Sequence, residues 1–273
     1  RRFIGHDASS SRMVRLSPAL VNSATRTSPK LSRLYSLLER DVEVQRYLRS
    51  ANVMAVSRLS YNDHGVVHSR IVAGCALEML RILVSRGITP NIVRDGIGTL
   101  EDSYVVVLAG AYLHDIGNAV HRERHNLHGV VLARGVLKRL LSAIYGKDPK
   151  IYALLCEIEH VIYAHDESVK ALTIEAGVVK VADGTDMAEG RARIPYKAGK
   201  LDIHAISALA IKRVELEEGC EEPILIKVDM ENEAGVFQVE EVLGRKVRTS
   251  GIAHLVRVDV YRRGEFFKSL TFS

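Results

Sequence analysis

His114 and Asp115 stand side by side at the end of an apolar run, Tyr104-Val105-Val106-Val107-Leu108-Ala109-Gly110-Ala111-Tyr112-Leu113. An imidazole nitrogen and a carboxylate oxygen presented together suit a divalent metal such as zinc, iron, manganese or magnesium, the remaining ligands deciding which. Eight of the eleven histidines fall between positions 64 and 165: His64, His68, His114, His121, His125, His128, His160 and His165. A lone histidine is more often a surface or hydrogen-bonded group than a ligand, so the clustering carries the weight. A further carboxylate, Asp183, follows the apolar turn Val178-Val179-Lys180-Val181-Ala182.

The elements needed to gather these groups are legible as hydrophobic periods. The run ending at Leu113 is long enough for a buried helix that delivers His114 and Asp115 at its C-terminal end. Ser28-Pro29 makes a helix entry, Ser as cap and Pro in the first turn, and Leu31, Leu34, Leu38, Val42 and Leu48 mark the stripe that follows. Tyr61-Asn62-Asp63 breaks that pattern and caps a helix carrying His64 and His68, four apart and so on one face. Gly87, Pro90, Gly96 and Gly98 mark residues 86–102 as a loop. Residues 120–145 read as a helix with His121, His125 and His128 on one face, and residues 151–165 as a helix ending at His165.

After about residue 200 the period changes. Residues 203–218 read as one amphipathic helix stopped by Gly219. Ile224, Ile226, Val228 and Met230 then alternate with Leu225, Lys227, Asp229 and Glu231, which is a strand. Residues 236–247 look helical, and 255–262 and 266–272 flank Arg263-Gly264-Glu265 as a hairpin. The expected fold is mainly α, a helical bundle with a small C-terminal α+β (βαββ) appendage. It divides into a basic N-terminal arm (1–27), a helical domain (28–202) and a C-terminal α+β subdomain (203–273).

Composition bounds the function. The 273 residues are 47% hydrophobic and 26% charged, ordinary for a globular chain. Net charge is +5, but residues 1–35 hold seven Lys/Arg against the single acid Asp7. The body keeps 31 basic and 32 acidic residues, a balance of −1, and shows no basic run of the kind that marks a nucleic-acid footprint. Cys75, Cys156 and Cys220 are odd in number and far apart, which argues against a disulfide framework and reads as small buried hydrophobes. No apolar run approaches the roughly 20 residues that span a bilayer, and the first residues lack the apolar stretch of a secretory signal. The expected location is cytoplasmic.

The order His68 … His114-Asp115 … His125 … His165 … Asp183 resembles the HD-domain superfamily of metal-dependent phosphohydrolases, over about residues 60–190. The strongest local piece is Leu113-His114-Asp115-Ile116-Gly117. The resemblance implies an HD-domain helical bundle with His68, His114, Asp115 and Asp183 as metal ligands. His125, in His125-Asn126-Leu127-His128-Gly129, and His165, after Val161-Ile162, are similar to the extra histidines of the binuclear branch that includes the HD-GYP proteins. That similarity implies two divalent ions (Mn, Fe, Zn or Mg), Asp115 bridging them and a bridging hydroxide as nucleophile. Asn118 stands where HD-GYP members often have lysine, and no Gly-Tyr-Pro follows His165-Asp166. Cyclic-di-GMP cleavage is therefore not implied.

The implied activity is a phosphomonoesterase or phosphodiesterase acting on a nucleotide or similar small phosphate. In that reading Asp115 is catalytic through the metals, and His64 or His160 protonates the leaving oxygen. Arg122, Arg124 and Lys180 are candidates for phosphate oxygens, although such residues equally form a solvated face. Two other classes stay open. One is a di-iron oxygenase of the same superfamily, since histidine and carboxylate serve iron well. The other is a ligand-sensing protein in which the appendage senses a ligand or partner and the HD site is vestigial, although all six ligand positions are filled, which argues against decay. Separately, the alternating strand faces suit packing on the helical body or on a second subunit, as in a homodimer.

Overall fold

Residues 13–27, expected within a loose arm, are folded in two short elements, β1 (Val14–Arg15) and α1 (Leu20–Thr25). The computed structural model describes residues 13–188 and 203–272, so the rest of the expected arm and the 202/203 boundary lie outside the described residues. β1 pairs antiparallel with Glu215 and Leu216 of the C-terminal sheet, and Leu20 and Val21 are buried in the core. Segments this short leave no hydrophobic period to read.

Helix α2 (Pro29–Arg40) starts as its sequence dictates: Ser28 Oγ accepts the backbone N–H groups of Lys30 and Leu31. Its stripe Leu31, Leu34 and Leu38 is buried, and α3 (Val42–Asn52) buries Val44, Leu48 and Ala51 beside it. α4 (Val66–Ser85) is inside along most of its length. The glycine-marked stretch after it contains one helical turn, α5 (Asn91–Arg94), before α6 (Leu100–Leu113) begins. α6 is the apolar run of the sequence, and ten consecutive residues from Tyr104 onward are apolar or small, so it is hydrophobic all round and becomes the central helix. α7 (His125–Tyr145) packs on α8 (Lys150–Ala164) and on the turn at residues 116–119, α8 packs on α6, and α9 (Ile174–Thr185) on both α4 and α6. Among the described residues, no helix is long and apolar enough to cross a membrane.

Asp102 closes the N-terminus of α6. Its carboxylate accepts hydrogen bonds from Thr99 N–H (2.9 Å) and Tyr145 OH (2.6 Å), with Lys150 Nζ at 3.3 Å. Burial pushes its pKa up, but these donors outweigh burial and bring it down from 3.8 to about 2. A folded pKa below the unfolded one means stability present above about pH 4 and lost as pH falls toward 2. Asp102→Asn is expected to cost about 2 kcal/mol at neutral pH and to flatten that acid limb, measured by urea melts across pH.

The C-terminal part differs from the expectation at one element. Residues 203–218 are not one helix: α10 (Ile203–Ala210) gives way to strand β2 (Ile211–Glu218). A register shift between Ile211 and Arg213 puts the buried residues at 211, 214 and 216, and a bulge of this kind imitates helical spacing. β3 (Ile224–Met230) alternates buried and half-buried as read. The helical run 235–248, α11, carries the chain over to β4 (Val256–Arg262), which lies parallel to β3, and β5 (Glu265–Thr271) returns antiparallel. Arg262 pairs with Glu265 across a two-residue turn in which Arg263 (φ 52°) and Gly264 (φ 83°) are both left-handed. The sheet order is β1-β2-β3-β4-β5. Cys75 is buried, whereas Cys156 and Cys220 are exposed, against the expectation for all three.

One face of α9 receives this second part. A Cβ at Gly177 would lie 2.6 Å from Ser250 O, and one at Gly184 only 3.0 Å from Leu243 Cδ1. Between them Lys180 donates to Thr249 Oγ1 (2.9 Å), to Thr249 O (3.2 Å) and to Val169 O. Positions 177, 180 and 184 fall on one side of a 3.6-residue helix, so two glycines and a lysine make the seat.

Candidate metal centre

The six groups expected as ligands sit at helix ends. His68 lies in the first turn of α4, His125 opens α7, His114 caps the C-terminus of α6, His165 caps that of α8, and Asp183 is in the last turn of α9. A C-terminal helix end leaves carbonyls without helical partners, and these carbonyls are put to use. His114 Nδ1–H donates to Ala111 O (2.7 Å) and His165 Nδ1–H to Ile162 O (2.6 Å), each three residues back. His125 Nδ1–H donates to Arg122 O (3.1 Å), and His68 Nδ1–H to Asp186 Oδ2 (2.6 Å). These partners assign the proton to Nδ1 in all four rings and leave four Nε2 lone pairs.

Those lone pairs converge. His68 Nε2 is 3.1 Å from His114 Nε2, and His125 Nε2 is 3.0 Å from His165 Nε2. With the protons on Nδ1 and the rings neutral, each contact is a pair of acceptors, which a proton or a metal cation between them would satisfy. Metal–nitrogen bonds of about 2.0–2.1 Å set roughly 100° apart hold two nitrogens about 3 Å from one another, so the spacing fits. Asp115 lies between the two pairs. Its Oδ2 is 3.4 Å from His68 Nε2 and 3.3 Å from His114 Nε2, while its Oδ1 is 3.6 Å from the Nε2 atoms of both His125 and His165. Asp183 Oδ1 closes the first half at 3.2 Å from His68 and 3.7 Å from His114. The donor atoms of His68, His114 and Asp183, and those of His114, Asp115 and His165, each lie within 4.8 Å of one another and could hold a metal ion.

The electrostatics of the two halves differ: in the first, burial works to lower His114 but Asp115 and Asp183 raise it, a pull toward positive charge that a proton or a metal cation would satisfy. Burial works to raise Asp115 and Asp183, but His114 and His64 beside the first, and Lys246 and His114 beside the second, hold both carboxyls well below the usual range. Burial pushes His125 down to about 3, with His165 adding to it, and burial lowers His165 as well. Both rings are thereby kept as neutral donors, the form a metal requires.

The other expected site residues divide. His64 precedes α4 rather than lying on it, yet its ring centroid is 5.8 Å from that of His68, and its Nδ1 is bonded to Asn62 O at 2.7 Å. Arg122 reaches the centre through one side chain: its Nη1 donates to Asn118 Oδ1 (3.2 Å), and Asn118 Nδ2 donates to Asp115 Oδ1 (2.9 Å). Arg124 is exposed at φ 56°, the left-handed residue that starts α7. The helix read from residue 120 therefore begins only at His125, and His121 is exposed outside it with His128 half-buried.

Lys180, expected at phosphate, is fully buried with its ammonium engaged by Val169 and Thr249, and burial brings its pKa down to about 8. His160, expected as a proton donor, accepts the Leu172 N–H at its Nε2 (3.1 Å). Five residues along a helix is about 140° of rotation, which turns it away from the side His165 presents. These two residues tie the loop 166–173 in place.

Two groups at the centre are missed by the sequence reading. Asp186, three residues beyond Asp183, fixes the His68 ring. Lys246, from α11, donates to Asp183 Oδ2 (2.5 Å) and to His165 O (3.0 Å). Asp186 could have been suspected from the Asp183-Gly184-Thr185-Asp186 string; nothing local marks Lys246.

Residues 66–188 match the HD domain family. The chain is 50% identical over 237 residues to an uncharacterized protein of Methanocaldococcus jannaschii, covering 87% of this chain and 90% of that protein. No solved structure matches the chain.

Proposed function

Because the chain belongs to the HD-domain family, we propose that its buried centre is that of a metal-dependent phosphohydrolase holding two divalent cations and cleaving a phosphoester of a nucleotide or similar small phosphate. The observation that carries the two-ion reading is the division of Asp115, one oxygen toward His68 and His114 and the other toward His125 and His165. A carboxylate so placed serves two cations at once, and a set of four neutral imidazoles and two carboxylates accepts manganese, iron or zinc more readily than magnesium. The substrate class rests on the resemblance to HD proteins with that activity.

Divalent cations held there supply Lewis-acid charge to phosphoryl oxygens and draw the pKa of water toward neutrality. The protein's own residues do the rest. Asn118 fixes the bridging carboxylate, and Arg122, tied to Asn118 by one of its N–H groups, keeps further donors for a phosphate oxygen. Water oxygen would bond to phosphorus as the ester P–O bond breaks, the water's proton passing to solvent, and His64 in its protonated form, beside His68 but outside the ligand set, would give a proton to the departing oxygen and regain one from solvent. His68, its Nδ1–H held by Asp186 Oδ2, would be among the residues holding a cation and carries no proton in the step.

The test is phosphate release from a panel of nucleoside mono- and diphosphates and sugar phosphates by protein loaded with Mn2+, run with and without oxygen. The expected result is saturable release that is independent of oxygen, abolished by chelator and restored by Mn2+. A product that forms only with iron and oxygen, without phosphate release, contradicts the proposal and identifies an oxygenase.

A further inference from the structure

Lys246 is 63 residues from Asp183 in sequence and belongs to the C-terminal part, yet its ammonium bonds a carboxylate of the metal centre. We propose that Lys246 is a positioning residue for that centre: by holding Asp183 Oδ2 and His165 O it turns Asp183 Oδ1 toward His68 and His114, and it makes the α+β part a working component of the site. The inference rests on the metal-centre reading above.

Three features carry it. The ammonium has three N–H donors, and two of them meet groups in the two halves of the centre, Asp183 at 2.5 Å and the backbone of His165 at 3.0 Å. The chain approaches closely enough to do this because residue 184 is glycine. A Cβ there would lie 3.0 Å from Leu243 Cδ1, 3.3 Å from Lys246 Cδ and 3.4 Å from Leu243 Cα. The contact is also reciprocal. Lys180 of α9 reaches out to Thr249 while Lys246 reaches in to Asp183, so α9 and the end of α11 are pinned at two points. The positive charge faces Oδ2, the oxygen turned away from the Nε2 atoms, and is neutralised there, so orientation of Oδ1 outweighs repulsion of a bound cation. A partner that orients a ligating carboxylate is commonly worth 10–100-fold in metal affinity or activity.

The experiment is calorimetric titration of metal-free protein with Mn2+ for the parent chain, Lys246→Met, Lys246→Arg and Gly184→Ala, with melting of the metal-free forms alongside. Lys246→Met is expected to bind Mn2+ roughly 10–100-fold more weakly while its metal-free form still melts cooperatively, at a lower temperature because the buried Asp183 carboxylate loses its partner, and Lys246→Arg to recover part of both losses. Gly184→Ala, whose Cβ would press on the side chains of Leu243 and Lys246 without removing the lysine, is expected to weaken Mn2+ binding in the same direction but by less than Lys246→Met. Where the parent releases phosphate, kcat of Lys246→Met falls while KM holds. Equal Mn2+ affinity in parent and Lys246→Met overturns the proposal and leaves the hydrolase reading standing. A parent that binds Mn2+ but cleaves no phosphoester removes the hydrolase reading, while a weakened Lys246→Met still upholds the role of the lysine.

Discussion

Asp115→Ala is expected to abolish turnover, by roughly 10³-fold or more, and to empty the centre of metal. The size follows from what the residue does: its two oxygens are the contact shared by both histidine pairs, and loss of Lewis-acid charge costs several kcal/mol of transition-state stabilisation, each 1.4 kcal/mol being about tenfold. Melting curves separate this from misfolding. A ligand at 100 times its Kd stabilises the folded state by about 2.7 kcal/mol, so the parent's melting temperature should rise with added Mn2+ and that of Asp115→Ala should not. Retained turnover in a metal-free Asp115→Ala protein would refute the assignment.

Gly117→Ala is expected to have the largest structural effect of any single methyl group near the centre. The turn Ile116–Ala119 packs directly on the first turn of α7, and a Cβ at position 117 would lie 1.8 Å from His125 O and 2.4 Å from Gly129 N. Both are backbone atoms, so no rotamer change relieves the clash. The start of α7 must move by more than an ångström, and it carries His125 with it. A loss of about 3 kcal/mol or more is expected, at or beyond the upper end of overpacking costs, together with loss of the His125–His165 half of the metal binding. Gly129→Ala is the control: its Cβ would come closest to the Ile162 side chain, at 3.0 Å, with His114 O and Gly117 N at ordinary contact distances of 3.5 and 3.6 Å, and a cost near 1 kcal/mol is expected. Denaturant melts and Mn2+ titration read both effects, and equal stability of the two variants would contradict the close packing described for the turn.

The ease or difficulty of reading these features from sequence has a physical basis. His114-Asp115 and the apolar run before it are contiguous, so one helix both reveals and delivers them. His68, His125, His165 and Asp183 are each at the end of a periodic segment, where a side chain can leave the helix packing and face a shared point. Orientation around a helix is harder. Lys180 reads as a spare cation beside a ligand, but it lies on the face of α9 that Gly177 and Gly184 open to the C-terminal part, and it is consumed by that interface. His160 is a similar case, one side of α8 serving the centre and the other the loop around Leu172. Strand β2 was hidden by its bulge, which spaces Ile211 and Val214 as a helix would. Lys246 illustrates the limit of local reading, because its role depends on how the C-terminal part docks, and no period or motif in residues 235–248 encodes that.

The central claim is that four Nε2 lone pairs and two carboxylates gather divalent cations on either side of Asp115. Anomalous scattering from crystals of Mn2+-loaded protein tests it most directly. The account predicts two peaks about 3.5–4 Å apart, one among His68, His114 and Asp183 and the other against His125 and His165, with Asp115 between. Density for Mn2+ elsewhere on the chain and none at these residues would contradict it.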